Sequence, residues 1–428
     1  MEEKQVLSEL RWDMVQRKPN GLTMIDLFCG AGVGASGFLL AGYKIIYAVD
    51  NQKYAVNTYN RNIGQHAVCL DIRSVRAEDI PWADVITGGF PCQPFSFSGT
   101  GKGEYDEKKG DLGYHFYRII RDKQPKAFIM ENVDGIISKK HLPFFKKLMS
   151  MFVSVGYDVS YPAKKNGEPS AINCWEYGVP QLRKRMLVVG IRKDLKKKFV
   201  FPKPIPLEER TTIRYAIGDL PDPDGKNNHF GYGIRKDEAP FVDKIPPGGN
   251  WRDLPVEDQM KFMGNAFHSG GGRTGFLRKV LFDNPAYTIT STMCGKNNAQ
   301  IIDNQDKYYR GGYSSRYKSR NRQKQWDEPS FTIVSQARQL PLYPEPARYD
   351  IRIMNEKDFP PPRRFTVREC LRLQTVPDWF SFKDDVSLSH QYERCSGIPS
   401  LIAYKWGLAL EDALKSNSLI MTGENLAI

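Results

Sequence analysis

A short apolar strand that runs into a glycine-rich turn, a helix and a second strand ending in an acid limits this chain to few architectures. Leu22-Thr23-Met24-Ile25-Asp26-Leu27-Phe28 has strand length and strand texture, Cys29 to Gly37 carries glycine at 30, 32, 34 and 37, and Phe38-Leu39-Leu40-Ala41 reads as helix. Ile45-Ile46-Tyr47-Ala48-Val49 is the second strand, and Asp50 closes it. Such a unit begins an α/β doubly wound fold, which binds ligands beyond the carboxyl ends of its strands. Gly32, Gly34 and Gly37 formally satisfy the spacing of a dinucleotide loop, with Asp50 placed for ribose hydroxyls, so a nicotinamide enzyme is one reading of this segment. Two residues oppose it. Asp26 at the end of the first strand would repel a pyrophosphate, and Phe28 in the turn offers a stacking surface. An adenosine cofactor without phosphate fits better, and S-adenosylmethionine is the candidate.

The second informative segment is Asp84-Val85-Ile86-Thr87-Gly88-Gly89-Phe90-Pro91-Cys92-Gln93-Pro94-Phe95-Ser96, a buried run that ends in two glycines and presents a thiol between prolines. Prolines fix φ on both sides and glycines allow a tight exit, which suits a nucleophile held at a strand end. A buried core cysteine is the alternative. The following loop, with glycines at 99, 101, 103, 110 and 113 among charged residues, is poor core material and suits a lid. Ala127-Phe128-Ile129-Met130 is another strand, and Glu131-Asn132-Val133 ends it. Gln181-Leu182-Arg183-Lys184-Arg185 leads into Met186 to Gly190; alternation along an extended chain would turn Gln181, Arg183 and Arg185 to one side. Each motif alone has an ordinary reading, a helix cap for Glu131 and a solvated face for the arginines.

Strands and helical stretches alternate to about Gly190, including an amphipathic run from Phe144 to Phe152. After Arg192 the texture changes, and prolines at 202, 204, 206, 221, 223, 246 and 247 mark a loop-rich second domain beginning near 205. Leu401, Ile402, Lys405, Leu408 and Ala409 return to helical spacing and suit a C-terminal helix packed on the first domain. The 62 Lys and Arg against 49 Asp and Glu give a net charge of +13, which favours a polyanionic partner. The seven cysteines include no Cys-x-x-Cys pair, and no histidine cluster has ligand spacing, so no metal site is expected. Residues 1–20 lack an apolar leader and no run reaches membrane-span length, which predicts a soluble protein of a reducing cytoplasm.

The second domain contains a repeat. Residues 278–291 align without gaps on 322–335, with Arg, Asp, Pro, Thr, Ile and Ser coinciding. Between them Lys307, Arg310, Arg316, Lys318 and Arg320 alternate with Tyr308, Tyr309, Tyr313 and Tyr317. Two readings stay open: hairpin-like supports presenting a DNA-reading loop, or similar hairpins joined by a solvated linker.

Together these motifs resemble the bacterial cytosine-C5 DNA methyltransferases, the modification methylases of restriction-modification systems. Asp26 to Gly32 is similar to the family's cofactor loop, Pro91-Cys92-Gln93 to its nucleophile loop, Glu131-Asn132-Val133 to its acid motif and Gln181-x-Arg183-x-Arg185 to its paired-arginine motif. Arg364 to Gln374 with Pro377-Asp378-Trp379 resembles the segment closing the recognition domain. The resemblance implies catalytic roles for Cys92, Glu131, Arg183 and Arg185, with Arg183 supporting Glu131. It implies S-adenosylmethionine contacts at Asp26, Phe28, Gly30, Gly32, Asp50, Asn51, Asp71, Ile72, Pro91 and Ser396. It implies substrate contacts at Gln93, Ser96 and Gln181, with Arg310, Arg316 and Arg320 reading DNA. One departure stands out: where the family has Gly-Asn before its final Pro, this chain has Cys395-Ser396. The domains implied are residues 1–205 plus 385–428 for catalysis and cofactor binding, and 206–384 for target recognition. A monomer acting on double-stranded DNA in a bacterial cytoplasm, associated with the nucleoid and paired with a separate restriction endonuclease, completes the expectation. A tRNA cytosine-C5 methyltransferase and a DNA-binding homologue without catalysis are the alternatives.

Overall fold

The computed structural model describes residues 16–91, 112–220, 228–231, 233–267, 276–289, 300–302, 363–383 and 385–416. Cys92, Gln93, Ser96, the glycine-rich stretch to residue 111, Arg310, Arg316, Arg320 and the second copy of the repeat lie outside the described residues.

The first domain is a sheet wrapped by helices. Its strands are β1 (Thr23–Leu27), β2 (Lys44–Asp50), β3 (Ala67–Cys69), β4 (Val85–Gly88), β5 (Ala127–Val133), β6 (Tyr157–Ser160), β7 (Ile172–Asn173), β8 (Gln181–Leu182) and β9 (Lys184–Arg192). The order is β3-β2-β1-β4-β5-β9-β6, with β7 on β9 and β8 outside this sheet. β1 to β5 pair in parallel, whereas β9 lies antiparallel between β5 and β6. Central strands are buried on both faces, which is why they read as unbroken apolar runs. The helices are α1 (Val33–Leu40), α2 (Lys53–Asn62), α3 (Leu112–Lys123), α4 (Leu142–Ser154) and, after the second domain's elements, the C-terminal helix. In α3, Leu112, Phe116, Ile119 and Ile120 form the buried stripe, and in α4 Phe144, Phe145, Leu148, Met149 and Phe152 do so.

The second domain has little regular structure among the described residues: α5 (Ile213–Ile217), α6 (Ala239–Val242), α7 (Val256–Met263), β10 (Arg278–Val280), β11 (Ala286–Tyr287), β12 (Gln300–Ile302) and β13 (Arg363–Arg364). Then follow α8 (Val367–Leu373), α9 (Leu388–Arg394) and α10 (Ser400–Lys415). β10, β12 and β13 form one sheet, while β11 pairs with β8 of the first domain. The first copy of the repeat is therefore not a hairpin: its two strands belong to different sheets, and the Thr288 hydroxyl donates to the Leu182 carbonyl at 2.7 Å.

An apolar cluster joins Ile213, Val280 and Ile289 to Phe365, Leu371, Tyr392 and Cys395, and it includes Ala31 and Val33 beside the cofactor loop. Tyr392 and Cys395 belong to this core, whereas Ile398 and the buried residues of α10 pack with the first domain's core. The buried stripe of α10 is Leu401, Ile402, Trp406 and Leu410; Lys405, Leu408 and Ala409 sit at its edge. Gly34 and Gly37 lie inside α1, not in a phosphate loop. A Cβ on Gly34 would strike Ile398, and one on Gly37 would strike the Ser400 carbonyl, so these glycines let Ile398 and the start of α10 approach α1. The Ser36 and Ser400 hydroxyls hydrogen-bond across that contact.

Candidate active site

The turn after β1 is built by residues in left-handed conformation: Phe28 at φ 58°, Gly30 at 54° and Gly32 at 94°. Glycine meets that demand without strain, whereas Phe28 adopts it at a cost that only a fixed surrounding offsets. Its ring meets Phe90 edge-on at 6.4 Å. Asp50, at the end of β2, accepts from the Gly30 amide at 3.0 Å and from the Gln52 amide at 2.9 Å, which closes the loop over the neighbouring strand. Asp26 is buried beneath it. Burial and repulsion from Asp50 raise its pKa to about 8, and neither a cation nor a donor among the described residues counters this. Asn51 is exposed, Ile72 is buried, and Asp71 faces solvent in an ion pair with Arg73 at 3.1 Å.

Two strands away the acid motif meets an arginine. Glu131 lies within β5, which continues to Val133, and β9 runs antiparallel beside it. Arg185 Nε stands 2.7 Å from Glu131 Oε1, with the two side chains 11% and 18% exposed. Arg185 also donates to the Lys184 carbonyl at 2.7 Å. The Glu131 carboxylate sits directly over Gly89, where a Cβ would come 2.6 Å from Oε2. Asn132 reaches the Phe90 carbonyl at 3.3 Å, which ties the acid strand to the chain entering Pro91. Gly89 thus supplies clearance for the acid as well as a tight exit. Gly89→Ala is expected to lower activity by about a hundredfold, because misplacement of a reacting group by an ångström costs that much, while thermal stability changes little. Equal turnover in the two proteins would refute that placement.

Gln181, Arg183 and Arg185 are all buried, and Leu182 and Lys184 between them are exposed. Their functions diverge nonetheless. Gln181, expected at the substrate, is fully buried: its amide donates to the Leu373 carbonyl at 3.0 Å and accepts from the Ile289 amide at 2.7 Å. Arg183, 1% exposed, donates to Gln181 at 3.3 Å and to the Ile289 carbonyl at 2.8 Å. Gln181 therefore clamps the second domain onto the first. Gln181→Ala is expected to reduce stability by about 2–4 kcal/mol, since it leaves buried donors and acceptors without partners. An unchanged denaturation midpoint would contradict this.

Ser396 donates to the Glu393 carbonyl at 2.8 Å and leads into the segment packed on α1. Arg394 and Tyr54, which the sequence did not single out, also meet here: the Arg394 guanidinium donates to the Tyr54 hydroxyl at 3.1 Å. No group of metal-binding side chains occurs among the described residues, and no helix among them is long and apolar enough to cross a membrane.

The family model for C-5 cytosine-specific DNA methylases matches residues 22–399. The chain is 32% identical over 366 residues to the Type II methyltransferase M.MthTI of Methanothermobacter thermautotrophicus, spanning 84% of this chain and 88% of that relative. It is 30% identical over 411 residues to the Type II methyltransferase M.FnuDI of Fusobacterium nucleatum, spanning 93% and 97%. A solved structure of a putative DNA modification methyltransferase encoded within a prophage (E. coli) superposes with a TM-score of 0.55 at 22% identity, over 92% of this chain and 100% of that one. The Entamoeba histolytica methyltransferase EhMeth gives a TM-score of 0.57 at 15% identity, over 94% and 100%. At these identities the solved structures bear on the fold alone.

Proposed function

The chain belongs to the family of C-5 cytosine-specific DNA methylases, and from that premise we propose that it methylates C5 of one cytosine within a specific duplex sequence, through covalent addition of Cys92 to a base turned out of the helix. The Glu131–Arg185 pair poised over Gly89 carries this reading. Cytosine C5 is too weak a nucleophile to attack a methyl sulfonium. Addition of a thiolate to C6 converts the ring into an enamine with its electron density at C5. Glu131 holds N3 and favours its protonation as that charge develops, and Arg185 orients Glu131 while its cation faces the O2 side of the ring. After transfer a base takes the C5 proton, the ring electrons return, and the thiolate leaves from C6. None of this is possible inside a stacked duplex, so the base must swing out at a cost of roughly a few kcal/mol.

The residues after β1 fit S-adenosylmethionine. A buried carboxyl group without a counter-ion, as at Asp26 with its pKa raised to about 8, ionises once a ligand bearing positive charge lies beside it, and Asp50 suits hydroxyl donors. Phe28, Gly30, Gly32, Asn51, Asp71, Ile72 and Pro91 would line the same hollow. When bound, this cofactor supplies the electrophilic methyl group. The Type II relatives support membership of a restriction-modification system, with the net charge of +13 suited to DNA. Bisulfite sequencing of DNA from cells expressing the chain tests the proposal. Full conversion protection at one cytosine of one short sequence is expected. Unmodified DNA alongside methylated RNA would transfer the activity to RNA.

A further inference from the structure

One buried donor atom beside the cofactor loop makes no hydrogen bond among the described residues. Arg394 ends α9, its guanidinium lies 5.1 Å from the centroid of the Tyr54 ring, and it donates to the Tyr54 hydroxyl. Its Nε is buried and makes no hydrogen bond among the described residues. Leaving a buried donor unpaired costs more than an ordinary hydrogen bond returns. Glu393 does not fill the need: it stands 3.6 Å from Arg394 and turns Oε2 to the Tyr54 hydroxyl, 3.0 Å away.

The position of Arg394 says what could fill it. Tyr54 lies in the first turn of α2, directly after Asp50, Asn51 and Gln52. The chain following Arg394 lies on the cofactor turn, with Ile398 against Gly34 and the Ser400 hydroxyl donating to the Val33 carbonyl at 3.3 Å. Burial first, then Asp26 and Asp50, push the Cys29 thiol in that turn up, and the Arg394 cation acts in the opposite direction.

S-adenosylmethionine carries a sulfonium, an ammonium and a carboxylate. Asp26, ionised once a cation lies beside it, complements the first two, and its charge and that of Asp50 repel the third, which needs a donor. Ser396 stands where the family has an amide, and the single proton of its hydroxyl is committed to the Glu393 carbonyl. We propose that Arg394 binds the carboxylate at the methionyl end of the cofactor, taking over a contact that Ser396 cannot make. This rests on the cofactor reading above.

The test is calorimetric binding of S-adenosylmethionine and of its decarboxylated form to the full chain without DNA. The two ligands differ only in the carboxylate. In Arg394→Met, which keeps the apolar stem, affinity for S-adenosylmethionine should fall by about ten- to a hundredfold, while the decarboxylated ligand binds within about twofold of its wild-type affinity. Arg394→Lys should retain part of the discrimination. Parallel loss of both ligands would overturn the proposal and make Arg394 a support for the loop. Unchanged binding of both would also overturn it, and weakened DNA binding in the same variant would then assign the guanidinium to phosphate. A wild-type chain that binds neither ligand would remove the cofactor reading itself, and this proposal with it.

Discussion

Cys92→Ser is expected to abolish methyl transfer, lowering the single-turnover rate by roughly 10³-fold or more, while affinity for duplex DNA stays within about twofold. The alcohol is far less ionised than a thiol near neutral pH, so C6 is not attacked and C5 never gains the electron density it needs. Oxygen for sulfur leaves the groups that bind phosphates unchanged. Transfer of labelled methyl to DNA, measured beside fluorescence anisotropy on the same duplex, separates the two effects. Turnover close to wild type would overturn the covalent route. Loss of DNA binding would instead mean that the substitution had disturbed the loop.

Glu131→Gln is expected to cost about 10²–10⁴-fold in turnover, the usual range for removing a positioned acid or base. An amide fills the same space over Gly89 but has no proton to give N3. It also leaves Arg185, whose side chain is only 11% exposed, without its carboxylate partner. A modest loss of thermal stability should therefore accompany the loss of rate, since an unpaired cation in a nearly closed site is costly. Glu131→Asp separates these effects: it keeps the acid, withdraws it from Arg185, and should recover part of the rate. A Gln variant with near-normal turnover would move the acid role to another group.

Much of the first domain was legible because its physics is local. The strands from Thr23, Val85 and Ala127 announce themselves as continuous apolar runs, since a strand covered on both faces has no polar side to show. Asp26, Asp50 and Glu131 could be picked out because an acid inside or just after such a run is conspicuous. The alternation from Gln181 to Arg185 likewise follows from the pleat.

What each of those side chains touches was not legible. That Gln181 hydrogen-bonds Leu373 and Ile289 at the interface could not be read from its motif. Gly34 and Gly37 match a dinucleotide spacing until α10 is packed on α1, and they then serve helix contact. Arg394 has no local signal at all, because only the return of the chain after the second domain brings it to Tyr54. The order of residues along this chain determined its strands, its family and the types of group available for chemistry, because backbone preference, burial pattern and charge act over a few neighbouring positions. The tertiary structure alone decided which of those groups meet, because those encounters depend on contacts between segments far apart in sequence, and these exist only once the core has closed.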